Sequence, residues 1–358
     1  MLNRLLGSRR GAPAGGPPAP APATTRTGEH PIAAGAPAAS AATALSPLVG
    51  PTLATPDAAA LAERCRAEVA RVTIALRERY PLQGLTGDHV ERLLVKLAVD
   101  LEMAAWQPSA AAQEALGIIA DPDGDPTALV RALERDAALG RGIVRHAGCA
   151  LYAGGTPPAT VDDAVRRLGA KGVQVAVLAG MAESLLQRTS GPYQAMAQPV
   201  WGQLVQAGPR ARAMARGFGV VTQEAFLLGL VHDVGKLVLF DLLSALHTEL
   251  RRDLLLPDGL VDEALELLHE PVGGLALLRW GVDGRVAWAV AHHHRRAPEP
   301  GREPGSELLY ALERLQDALR TGRPIDVAAW HREGALETPA DRVAAAVAQA
   351  AEERAVEG

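Results

Sequence analysis

An all-α fold, a helical bundle preceded by a smaller helical subdomain, is what this sequence predicts, and three observations predict it. Aromatic residues make up only 3% of the 358 residues while 48% are hydrophobic, so the core must be built mostly from Leu, Val and Ala. Ala and Leu are strong helix formers. No stretch sustains the period-two alternation of a half-buried strand. Apolar residues recur instead at three- and four-residue spacing between Gly- and Pro-rich turns, as helices with one buried face require.

Composition also narrows the functional classes. The net charge is −5 with both signs interspersed, so the sequence carries no basic footprint of the kind duplex nucleic acid demands. Cys65 and Cys149 are the only cysteines, too few for a disulfide framework or a cysteine zinc site, and a reducing cytoplasm is the expected location. The opening Met1-Leu-Asn-Arg-Leu-Leu-Gly-Ser-Arg-Arg10 has no apolar region of signal-peptide length. No later run reaches about 18 uninterrupted apolar residues, so no membrane span is expected.

Residues 1–54 are dominated by Pro, Ala, Gly, Thr and Ser. Such a segment has little to bury against its ordering entropy and is expected to be a disordered tail, dispensable for folding. A helical hairpin is expected over 55–104. Thr55 can cap a helix that starts at Pro56 and carries Leu61, Cys65, Val69, Val72 and Leu76 on one stripe to about Tyr80. After a turn over 81–87, Asp88 and Glu91 make a capping pair for a second helix bearing Val90, Leu93, Leu94, Leu97 and Leu101. Cys65 falls in the first stripe and is expected to be core.

Asp121-Pro-Asp-Gly-Asp-Pro126 lacks the spaced oxygen ligands and the final bidentate Glu of a calcium loop, and Pro and Gly explain it as a turn. Short helices are expected over Thr127–Asp136, through Ile143 and Val144, and from Val161 through Leu168 into Gly169. Beyond Pro324, one helix is expected from Val327 and a second, Ala-rich, after Pro339; these belong to a C-terminal extension over 301–358.

The segment with chemistry in it is Gly229-Leu-Val-His-Asp-Val-Gly-Lys-Leu-Val-Leu239. Its surroundings are apolar all round, as in a buried helix, and a His and an Asp in that setting must be paired, hydrogen-bonded or bound to a metal. A buried structural His–Asp pair is one reading; the other is a metal site. Lys236, four residues after His232, would share its helix face and could meet a phosphate or protonate a leaving group. His269 and the row His292, His293 and His294 are further candidates, the row also suiting a helix C-terminus.

The Gly229–Leu239 segment resembles the central motif of the HD superfamily of metal phosphohydrolases, in which adjacent His and Asp bind one metal ion. A wider similarity is to the HDOD domain. It rests on Gly117–Pro122, Leu129–Asp136, Arg145–Tyr152, Val161–Gly169, Pro199-Val-Trp201, Ala225–Lys236, His269-Glu-Pro-Val-Gly273, Trp280 and His293-His294, in the family's order over about 105–300. Departures are Gly148 and Cys149, where the family usually has Asn-Ser before its Tyr block, and a Pro-rich entry reduced to Pro108.

The resemblance implies a bacterial cytoplasmic regulator, non-catalytic and acting in signal transduction through binding. The implied metal remnant is His232, Asp233, His269, His293 and His294. The upstream His that follows the family's Trp by two positions is replaced by Gln203, a poor ligand for a transition metal. Glu313 and Asp317 lie in no convincing motif for a late aspartate. No Gly-Tyr-Pro triplet follows the histidines, against the cyclic-dinucleotide phosphodiesterase branch. On this reading no cofactor and no firmly held metal are expected, and the partners are signalling proteins, with a nucleotide second messenger as a candidate ligand. The alternative is an active HD-type phosphohydrolase on nucleotides or cyclic nucleotides, using a divalent Fe, Mn or Mg ion with Lys236 as its catalytic cation.

Overall fold

Asp57, accepting from the Ala59 N–H at 2.9 Å, caps the first helix, α1 (Ala58–Arg79). In this computed structural model the described residues are 57–80, 82–100, 108–121, 123–148, 156–250, 254–294, 303–333 and 336–352. All lie in one compact unit, Leu53–Gly358, and no strand occurs among them. The tail over 1–54 falls outside the described residues, as do Thr55, Pro56 and Cys149; the helix expected to start at Pro56 begins instead at Ala58, capped by Asp57.

The apolar stripe of α1 is buried from Leu61 through Cys65 to Leu76, on one side against α2 (Gly84–Asp100). This second helix starts a turn earlier than Asp88 and Glu91 suggested: Gly84 takes the left-handed backbone, φ 65°, that turns the chain into it. Val90, Leu93, Leu94 and Leu97 are buried as expected.

Three short helices follow: α3 (Ala110–Ala120), α4 (Pro126–Glu134) and α5 (Ala137–Ala147). The expected Asp-Pro turn separates α3 from α4. The Gly124 N–H donates to the Asp121 carbonyl, and Asp125 caps α4 by accepting from the N–H groups of Thr127 and Ala128. Asp136 does the same for α5.

Next come α6 (Val161–Arg188) and α7 (Pro192–Phe218). Thr160 and Asp163 form a reciprocal capping box at the start of α6, and the chain breaks at Gly169, φ 63°, where the sequence placed the end of a helix, before resuming as helix to Arg188. The centre of the bundle is α8 (Thr222–Val231) and α9 (Val234–Glu249), which follow one another across a two-residue break at His232 and Asp233. The expectation of one uninterrupted helix through the His–Asp pair is therefore corrected.

Around this pair pack α10 (Leu260–Arg279), α11 (Gly284–Ala291) and α12 (Pro304–Thr321). Pro271 lies inside α10. Beyond α12, α13 (Val327–Arg332) and α14 (Ala340–Glu352) fold back, α14 lying along α7. Buried Glu307 of α12 holds the return by accepting from the N–H groups of Glu337 and Thr338 at 2.6 and 3.0 Å. The hairpin is packed on the bundle, α1 along α10 and α2 against α9.

Candidate metal centre

Two glycines set the geometry of the site. A Cβ on Gly235, in the first turn of α9, would lie 2.0 Å from the His269 carbonyl oxygen and 2.7 Å from the Gly273 nitrogen. Only glycine permits α9 and α10 to approach so closely, and this approach carries His269 to Asp233.

The break between α8 and α9 turns His232 and Asp233 inward, both buried. Three histidines are then oriented by main chain. The Nδ1–H of His232 donates to the Gly229 carbonyl at 2.8 Å, that of His269 to Leu265 at 2.7 Å, and that of His293 to Val290 at 2.6 Å. A carbonyl only accepts, so Nδ1 carries the hydrogen and Nε2 presents its lone pair whenever the ring is neutral. This is the orientation by an outer partner that metal-ligating histidines use.

All three Nε2 atoms face Asp233. That of His232 lies 3.8 Å from Oδ2, and those of His269 and His293 lie 3.7 and 3.9 Å from Oδ1. Glu313, from α12, closes the ring, its Oε1 3.8 Å from Nε2 of His232 and 3.5 Å from Nε2 of His293. Asp233 Oδ1, His269 Nε2 and His293 Nε2 are buried with no hydrogen-bond partner, a costly state for polar atoms. Their spacing is long for hydrogen bonds. It suits donors to one ion, since two atoms each about 2.1 Å from an ion can be up to about 4.2 Å apart. Imidazole and carboxylate donors together suit a first-row divalent metal.

The remaining candidates divide. His294, exposed, pairs through Nδ1 with Glu313 Oε2 at 2.9 Å, while its main-chain N–H donates to Glu270. The possible ligand atoms fall into two groups, each within 4.8 Å of one another: His232 with Asp233 and Glu313, and His269 with His293 and His294. His292 instead caps α11 and stacks on Trp288. Lys236 is close, but its ammonium is paired with Asp233 Oδ2 at 2.6 Å. Gln203 is exposed at the edge of a cavity of about 650 Å3 that opens on His232 and Asp233, and its main-chain carbonyl accepts from Gln316. Asp317, paired with Arg320, lines the same cavity. Glu313, passed over in the sequence, belongs to the cluster. Its signal was its register: it lies four residues after buried Leu309 and seven after buried Ser306, so a carboxylate shares their buried face.

The electrostatics follow from this packing. Burial holds His269 down to about 3, and burial likewise lowers His232 despite Asp233 and Glu313. His293 goes the other way, to about 9: burial opposes its charge, but Glu313, Glu270 and Asp233 outweigh burial. Burial acts to raise Asp233, yet His232, Lys236 and His269 hold its carboxyl below the usual range; His293 and His294 do the same for Glu313 against burial.

An all-helical bundle around a buried His–Asp pair, with further histidines delivered by neighbouring helices, defines an HD-like domain. The family model of the HDOD domain matches residues 107–296, more than half of the sequence. The chain belongs to the HDOD domain family. Two crystal structures from Shewanella amazonensis SB2B share the fold. One, provisionally named a metal-dependent phosphohydrolase, has a TM-score of 0.53 at 19% identity over 74% of this chain and 99% of that one. The other, provisionally named a phosphohydrolase, has a TM-score of 0.50 at 18% identity over 73% and 96%. An uncharacterized protein of Treponema pallidum is 24% identical over 202 residues, 54% of this chain and 38% of the relative's length. Among the described residues no helix is long and apolar enough to cross a membrane.

Proposed function

We propose that this chain is a bacterial regulatory protein that acts through binding, and that its HD-type cluster seats one divalent cation without turning over a phosphoester. The observation that carries the cation is the set of partnerless buried atoms, Asp233 Oδ1, His269 Nε2 and His293 Nε2, the two nitrogens 3.7 and 3.9 Å from that oxygen. His232, Asp233, His269, His293 and Glu313 would hold it, two carboxylates matching its charge. His294 orients Glu313. A bound divalent ion would supply Lewis-acid polarisation and activation of water. Three features of the chain speak for binding without hydrolysis: position 203 brings no imidazole, its exposed carboxamide stays at the cavity edge, and Lys236 is engaged by Asp233.

The test is calorimetric titration of chelator-stripped full-length protein with Mn2+, with a screen for nucleotidase and phosphodiesterase activity on the loaded protein. One equivalent bound and no hydrolysis is the expected result. A second reading, an active phosphohydrolase, draws on one observation: the cavity beside His232 and Asp233 is also lined by Arg210 and Arg320, cations suited to a phosphate. Hydrolysis that disappears in Asp233→Asn would put that reading in place of ours.

A further inference from the structure

Away from the histidine cluster, a second cavity of about 510 Å3 opens between α3, α5 and α6. Two glycines in helix interiors line it, Gly142 of α5 and Gly180 of α6. Glycine is disfavoured inside a helix relative to alanine, so such a residue ordinarily answers a need for a left-handed backbone or for close approach, as Gly235 does. Neither need exists here. Neither glycine has a positive φ. A Cβ on Gly142 would meet nothing within 4 Å, and one on Gly180 would meet only Leu139 Cδ1 at 3.8 Å, an ordinary contact. What the two glycines do is keep volume open.

The rim of this volume carries three arginines and two carboxylates, Asp136 and Glu183. Arg141 and Arg145, one turn apart on α5, line it together with Arg188. Arg145 is paired with Glu183 and Arg188 with Asp241. Arg141 has neither a hydrogen bond nor an ion-pair partner among the described residues. The carboxylate that feels its charge, Asp136, is engaged by the N–H groups of Ala138 and Leu139 and by the Ser109 hydroxyl. Leu139 and Met181 add apolar surface to the lining. Guanidinium forks one turn apart suit a tetrahedral oxyanion. A cavity of this size falls in the range of small-molecule sites, roughly 300–1,000 Å3, and exceeds what a bare anion fills.

We infer that this cavity is a second ligand site, separate from the cation seat, and that it takes a small organic phosphate. The phosphate sits between Arg141 and Arg145, and the body of the ligand lies along Leu139 and Met181 in the space left by Gly142 and Gly180.

The experiment is calorimetry on the full-length protein in the presence of EDTA, which takes the cation seat out of the measurement. The probes are adenosine 5′-monophosphate, ribose 5-phosphate and inorganic phosphate. An organic phosphate should bind more tightly than inorganic phosphate. Arg141→Ala, which removes an exposed side chain, should weaken it roughly tenfold or more. Gly142→Met, which fills the cavity and keeps every charge, should weaken it comparably, while Arg210→Ala, in the cavity beside His232, should leave it unchanged. Arg141→Ala is the variant that decides should Gly142→Met fold poorly. The inference is overturned if neither organic phosphate binds at millimolar concentration, if Arg141→Ala binds like wild type, or if Arg210→Ala is the variant that loses binding.

Discussion

Replacing Gly235 by alanine tests the architecture of the candidate metal centre with one methyl group. The added Cβ would lie 2.0 Å from the His269 carbonyl oxygen and 2.8 Å from its carbonyl carbon, both main-chain atoms of α10. Ordinary contact begins near 3.5 Å, so α9 and α10 must separate by roughly 1 Å or more. Alanine itself favours a helix by up to about 1 kcal/mol over glycine, whereas overpacking a filled core typically costs about 1–3 kcal/mol. Because the obstacle is backbone and no side chain can swing aside, the upper end is expected, a net loss of about 2 kcal/mol in urea melts. His269 moves with α10, and a displacement of that size is half a metal–ligand bond, about 2.1 Å. Mn2+ affinity should therefore fall further than stability does. Gly142→Ala is the control: its Cβ meets nothing within 4 Å, so the protein should become more stable by up to about 1 kcal/mol. Wild-type melting together with wild-type Mn2+ affinity in Gly235→Ala would refute the claim that this crossing positions the site.

Glu313→Gln keeps the shape but removes a charge from the cluster; Mn2+ binding should weaken on the order of ten- to hundredfold, as read by calorimetry, with cooperative melting retained. Asp233→Ala should cost about 3–5 kcal/mol in denaturant melts of the metal-free protein, because Lys236 and the histidines lose the carboxylate between them. Adding His232→Ala should then cost less than the two single losses combined, and strict additivity would show that the two side chains do not interact. His146 gives a pH signature: burial, with Arg145 beside it, lowers its pKa from 6.5 to about 4. The folded state then binds its proton less readily than the unfolded state. The contribution is present in full above pH 6.5 and lost as pH falls toward 4, by about 3 kcal/mol. His146→Leu should flatten that limb of the stability profile relative to wild type, and equal slopes over this window would count against it.

The helices were legible in the sequence because their buried faces repeat at helical spacing: Leu61, Cys65, Val69, Val72 and Leu76 are all core. The break at His232 and Asp233 was not, since neither Gly nor Pro marks it and apolar residues continue through it on both sides. Gly84 hid the start of α2 for a related reason. A glycine in a turn region gives no hint of whether it ends one element or begins the next. At the site, the histidines announced themselves by residue type in an apolar context. Glu313 did not, because a Glu between Leu312 and Arg314 looks like a solvated helix face until the neighbouring helices place it within reach of three imidazoles and a cavity.

Glu313 has a further consequence. The stretch that marks this chain as an HDOD protein stops at residue 296, and α12, which supplies one of the two carboxylates of the cluster, begins at Pro304. The histidines thus lie within the domain, while a carboxylate that faces three of them comes from downstream of it. Excising the domain at its family boundary would leave an imidazole-rich pocket without Glu313, and would also discard Glu307, which ties down the return to α14. For this protein the unit of descent is shorter than the unit of chemistry, and an inventory of metal donors drawn from the shared domain alone would miss a member.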